Sequence, residues 1–198
     1  MSAAGKVCTG FSLPYVAKYA ASQGTISYSS GQKLARGVSV TATPETTDDN
    51  NFYADNILAE SAAGEFTGGT INLTVDGLLA AAEKLIMGLP AASTTGTDAS
   101  FIHYGDDQQI PDVGIGFVAR YQSGGTVTYT PIIFPRAAFN LIENNAETQE
   151  ESIDWQTQEL TANIKRAEDS NRNWKYVGGD ESSEAAAEAK IKTFFSIS

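Results

Sequence analysis

The chain is short of several things at once. It has one cysteine, Cys8, and one histidine, His103, in 198 residues. A single thiol excludes an internal disulfide framework, and a single imidazole excludes a metal centre built on several histidines. Cations are scarce too, with 13 Lys and Arg against 24 Asp and Glu and a net charge of −11. A protein that holds nucleic acid by its phosphates needs clustered bases. The only close basic spacings are Lys165 with Arg166 and Lys190 with Lys192. No apolar run approaches the ~18 residues of a membrane-spanning helix. The opening MSAAGKVCTG has no apolar stretch of the secretory kind. Synthesis in the cytoplasm without a membrane anchor is therefore expected. Hydrophobic residues still reach 41%, enough to core one domain over 1–198.

What the chain has in quantity is alternation. Apolar residues recur at every second position through Phe11, Leu13, Tyr15, Ala17 and Tyr19, which predicts a strand with one apolar face. The same period runs through Val38, Val40 and Ala42, through Ile71, Leu73 and Val75, and through Val113, Ile115, Phe117, Ala119 and Tyr121. QSGG then turns the chain and TVTYTPIIF returns it, a hairpin with a glycine loop. Pro131 in the returning strand asks for an edge or a bulge. Further strands are expected over 138–142 and 153–164, the latter changing phase between Trp155 and Leu160 as at a bulge.

Two helices are predicted. Asp76 is positioned to cap one over about 76–87, with Leu78, Leu79, Ala82, Leu85 and Ile86 on one stripe and Gly88 closing it. The second covers about 183–195, with an acidic start and a basic end, and its alanines suit a surface or a fraying terminus. The segment 91–112 reads as loop. The fold class is mainly β: a β-sandwich or partly closed barrel with one flanking helix and a C-terminal helix.

Motifs that could carry chemistry are weak. Cys8 and His103 lack any nucleophile context, and a small buried thiol with a loop imidazole is the plainer reading. Asp48-Asp49, Asp106-Asp107 and the group Glu147, Glu150 and Glu151 read as solvated loop charges. DNNFYADN echoes a calcium loop but lacks its central glycine and its terminal bidentate acid. Gly68-Gly69 and Gly124-Gly125 read as turn glycines. Trp155 and Trp174 could stack on a sugar or a base, with packing the plainer alternative. No enzyme, metal or cofactor is expected.

One stretch resists the bland reading. TPETTDDNNFYADNILAE, residues 43–60, is acidic and turn-rich, yet carries Phe52, Tyr53, Ile57 and Leu58. It reads as a mobile loop whose apolar groups find their partner in another subunit. Asp48, Asp49, Asn51, Phe52, Tyr53, Asp55, Ile57 and Leu58 are the candidate assembly residues.

Four features, in order, resemble the major tail protein, or tail tube protein, of long-tailed bacteriophages. They are PYVAKY; VSVTATPETTDDNNFYADN; GGTINLTVDGLLAAAEKLIMG; and the pair PDVGIGFVARY with AETQEESIDWQTQELTANI. Together they cover roughly residues 10–165; the stretch 167–198 reads as an alanine-rich extension outside the pattern. The resemblance implies a β-sandwich subunit that forms hexameric rings stacked into a tube in the virion tail. It implies a tape-measure protein within, tail-tip and tail-terminator proteins at the ends, and DNA passing through without specific binding. A monomeric carbohydrate-binding β-sandwich is the alternative.

Overall fold

The computed structural model describes residues 5–91, 97, 101–106, 108–146, 148 and 155–197. Among the described residues, ten strands and two helices follow one another as β1 (Val7–Ser22), β2 (Thr25–Lys33), β3 (Gly37–Thr46), β4 (Asn50–Ala54), β5 (Ile57–Ala62), β6 (Phe66–Val75), α1 (Ala80–Met87), β7 (Val113–Ser123), β8 (Thr126–Phe139), β9 (Gln158–Ile164), β10 (Tyr176–Val177) and α2 (Glu184–Phe194). The protein is mainly β and sandwich-like, with antiparallel pairing. The main sheet runs β2-β1-β7-β8-β9-β6-β3, with β10 beside β8; β4 and β5 form a separate pair.

The sheet curls rather than closes. β8 and β9 pair only at residues 137–139 against 162–164, so the two halves meet at a corner. β2-β1-β7-β8 then faces β9-β6-β3 across a core of Val16, Ile71, Leu73, Val75, Val113, Ile115, Phe134, Leu160, Ala162 and Ile164. Leu34, buried between β2 and β3, closes the open side with a backbone bond to Pro14 O at 2.8 Å. Among the described residues, β2 and β3 remain the free edges.

Several sequence expectations are met. The Ser123–Thr126 turn is Gly124-Gly125, both at positive φ, as a two-residue hairpin turn requires. Pro131, by contrast, lies neither at an edge nor at a bulge: it stands opposite Val118 within β8, and its carbonyl accepts from Gly178 N at 2.8 Å on the side away from β7. Its missing N–H thus falls where only the short β10 runs, and the β7 ladder loses nothing. Gly88 ends α1 at φ 65, with Gly88 N bonded to Leu85 O and Leu89 N to Lys84 O.

Other expectations are corrected. β1 does not keep one apolar face: Leu13 sits at φ 54 and the β1–β7 register shifts between Ser12 and Tyr15. Phe11 therefore packs on the main core, whereas Tyr15 and Ala17 belong to a second cluster behind the sheet. Asp76 does not cap α1. Its carboxylate takes the Arg36 backbone N–H at 2.9 Å and the Arg36 guanidinium, and the helix begins at Ala80 behind Leu79. Leu79 is exposed, and Ala82, Ile86 and Met87 are the buried stripe. No separate strand forms over 138–142: residues 138 and 139 end β8, and the chain after them is irregular. The strand expected over 153–164 begins at Gln158; Trp155 precedes it, Ile153 lies outside the described residues, and the β6–β9 register has no bulge. Gly68-Gly69 is not a turn but part of β6, where a Cβ on Gly69 would stand 2.5 Å from Thr43 O of β3.

The largest correction concerns 167–198, which is no extension. Ala167 is buried, β10 pairs with β8, and α2 lies on the outer face of β7 and β8. Ser183 caps α2 by accepting from Ala186 N at 3.2 Å. Ala187, Ile191 and Phe195 are fully buried against Val118, Ile133, Tyr15 and Ala17. The helix approaches so closely that a Cβ on Gly114 or Gly116 would stand 2.5 or 2.8 Å from the Phe195 ring. The two glycines between Val113, Ile115 and Phe117 are the seat of α2.

Candidate assembly surface

Residues 43–60 are not a loop. β3 runs to Thr46, and β4 and β5 form a two-stranded arm that continues outward from the β3–β6 pair. The base is clamped by three bonds of 2.9 Å: Thr47 N to Glu65 O, Glu65 N to Thr47 Oγ1, and Gly64 N to Asp49 Oδ1. The tip is Asp55-Asn56, at φ 51 and 63, the left-handed pair of a two-residue hairpin turn. Asp and Asn tolerate that region through local side-chain bonding.

The register places each predicted residue. Asn51 stands opposite Ser61, Phe52 opposite Glu60, Tyr53 opposite Leu58 and Ala54 opposite Ile57. Ala59 is an extra residue between the Phe52 and Tyr53 pairings. Opposed residues share a face and successive residues alternate. One face of the arm therefore carries Phe52 with Ile57, and the other Tyr53 with Leu58. Asp48 precedes β4, Asp49 locks the base, and Asp55 is in the turn.

Every residue from 43 to 63 is exposed. Phe52 is 63% exposed, Tyr53 62%, Ile57 67% and Leu58 53%. The arm thus shows apolar side chains to water on both faces, with acidic residues between them. Sequence reasoning singles out these residues but misses the hairpin that carries them. The available signal was Asp55-Asn56, a two-residue turn between short runs of strand-forming residues.

The remaining candidates do not converge on the arm. Cys8 is exposed at the start of β1, not buried, and His103 lies in the irregular 101–106 segment. Asp107, Glu147, Glu150 and Glu151 lie outside the described residues. Among the described residues, no group of His, Cys, Asp and Glu is arranged to hold a metal ion. Trp174 stacks flat on Phe66 with ring centroids 4.5 Å apart, while Trp155 is 83% exposed.

One ionic knot lies near the arm's foot. Asp112 accepts from Arg136 Nε at 2.6 Å and from Lys165 Nζ at 2.7 Å, and Arg136 Nη1 also reaches Glu168 at 2.6 Å. Burial raises the Asp112 pKa, but bonds from Lys165 and Arg136 outweigh it and hold the carboxyl below its ordinary range. A hydrogen bond ties α2 to β1: the Tyr15 hydroxyl donates to Glu188 at 2.5 Å and holds its carboxyl low, helped by Lys192 at 3.0 Å within the helix. Among the described residues, no helix is long and apolar enough to cross a membrane. Compared with protein-family models and with curated proteins, the chain matches none.

Proposed function

We propose that the protein is a virion structural subunit that assembles through its β4–β5 arm into stacked hexameric rings, forming a tail tube. The observation that carries the reading is the arm itself: a preformed hairpin, apolar on both faces and buried on neither. An isolated two-stranded hairpin is marginal in water, and apolar groups on both its faces need cover on both sides. Covering each of the large side chains contributes about 1 to 2 kcal/mol for the surface still exposed. Because the strands are already paired, less backbone entropy opposes docking than for an unstructured loop.

Copies of the chain are the natural cover, as ordered features of the sequence resemble tail tube proteins. In the tube the subunits surround a tape-measure protein and meet tail-tip and tail-terminator proteins at the ends. DNA passes through a bore whose walls carry the chain's acidic balance, which disfavours sticking. The experiment is negative-stain imaging of the concentrated protein, alone and with its tail-tip partner. Rings or tubes are expected; a strictly monomeric protein in both samples contradicts the reading. The exposed Trp155 favours a second reading, a carbohydrate-binding module. That reading predicts a monomer whose tryptophan fluorescence shifts with glycan and loses the shift in Trp155→Ala.

A further inference from the structure

The arm's charge narrows what can cover it. Between Arg36 and Lys84 the chain has no Lys or Arg, while the arm and its base carry Glu45, Asp48, Asp49, Asp55, Glu60 and Glu65. Two arms laid side by side repel one another. Their cover must bring cations.

The foot of the arm offers them. An open groove there is lined by Phe66, Arg136, Lys165, Arg166 and Arg172, with Glu65 at its rim. In a chain with 13 Lys and Arg in all, this is a marked concentration. Part of that charge is committed within the fold: Arg136 and Lys165 hold Asp112, and Arg166 donates to the Phe66 carbonyl. Arg136 is also paired with Glu168 at 2.6 Å, and it is Arg172 that is left facing outward. Arg166 stands 3.7 Å from Glu65, whose side chain is 82% exposed, and Arg172 is exposed with no ion pair among the described residues. Phe66, stacked on Trp174, gives the groove an apolar wall beneath its cations. Apolar wall and basic rim match an arm of apolar side chains set among carboxylates.

The arm cannot fill the groove at its own foot. From Thr47 to Asp55 an extended strand covers about 25 Å at roughly 3.3 Å per residue, and the residues along it are exposed. We propose that this groove receives the acidic arm of a second copy of the chain, an inference that rests on the assembly reading above. Arm and groove are different surfaces, so each copy gives one and takes one. Such a head-to-tail contact repeats into a ring or a file and does not stop at a pair.

The test uses the full-length chain in two charge-reversed forms. One carries Arg172→Glu in the groove; the other carries Asp48→Lys with Glu60→Lys on the arm. All three side chains are exposed, so both forms should melt as the wild type does. Each form alone is expected to need at least a tenfold higher concentration to assemble. An equimolar mixture is expected to recover wild-type assembly, since reversed arms then meet reversed grooves and native arms meet native ones. Wild-type assembly in either form alone, or a mixture without recovery, overturns the proposal and leaves the assembly reading standing. A wild-type protein that never assembles removes both. Retardation of duplex DNA by the wild type, lost in Arg172→Glu, assigns the groove to nucleic acid instead and also overturns the proposal.

Discussion

Phe52 and Tyr53 are adjacent in the chain yet face opposite sides of the arm. Neither touches the core, so replacing both tests the arm without testing the fold. Phe52→Ser with Tyr53→Ser is expected to change subunit stability by less than about 0.5 kcal/mol, as for other exposed positions, while abolishing assembly. Thermal melting and imaging of the same preparation check both halves; a mutant that unfolds places these aromatics in a core. Asp112 behaves in the opposite way, because it neutralises two cations at once. Asp112→Ala is expected to cost about 2 to 3 kcal/mol at neutral pH, the range for lost charged hydrogen bonds. Its folded pKa is depressed, so its contribution is present above the unfolded value of about 3.9 and is lost as pH falls through the folded value. The gap between wild type and mutant in urea titrations should therefore narrow below about pH 4. A constant gap would mean that Asp112 acts through packing alone.

The elements divide into those whose period is visible and those whose role depends on what lies opposite. The strands Val113–Ser123 and Phe66–Val75 are legible because alternate residues of each, Val113, Ile115, Phe117 and Ala119 in the one and Ile71, Leu73 and Val75 in the other, enter the main core, although β7 is buried on its second face as well. α2 was legible as a helix but not as core. Its large buried groups are Ile191 and Phe195, and they pack on Gly114, Gly116 and Val118 of β7 together with Tyr15, Ala17, Tyr28 and Ile133 from β1, β2 and β8. A glycine in a strand pattern says that something comes close without saying what. The start of α1 was misplaced because Asp76 looked like a cap, whereas its partner Arg36 is 40 residues away and no local rule finds it. The arm was misread for a related reason: with both faces apolar, it shows no alternation of apolar with polar residues, and an uncovered hairpin resembles a loop in composition. Gly116→Val tests the seat of α2. Its added methyls meet Ile191 Cγ2 and Phe195, each 2.8 Å from the Cβ position. A loss of about 2 kcal/mol or more is expected from overpacking, read as a lower urea midpoint with the m-value of the wild type. An unchanged midpoint would show that α2 does not press on the sheet.

At the scale of the whole molecule, a firmly packed body carries an appendage that packs on nothing else among the described residues. The body has a core on each side of the β1-β7-β8 sheet, and its far C-terminal helix closes the second. The arm is held at its root by three bonds and along its length by one ladder. Such a pair, without tertiary cover, opens far more readily than a buried ladder such as β6–β9. If the arm is the surface by which copies join, assembly must change its protection and leave the body's nearly as it was. Hydrogen exchange on the free and the assembled protein reads this directly. The account predicts that amides of 50–62 exchange much faster than those of β6 and β9 in the free subunit and slow by at least a hundredfold in the assembly. Equal exchange of the arm in the two states would contradict it.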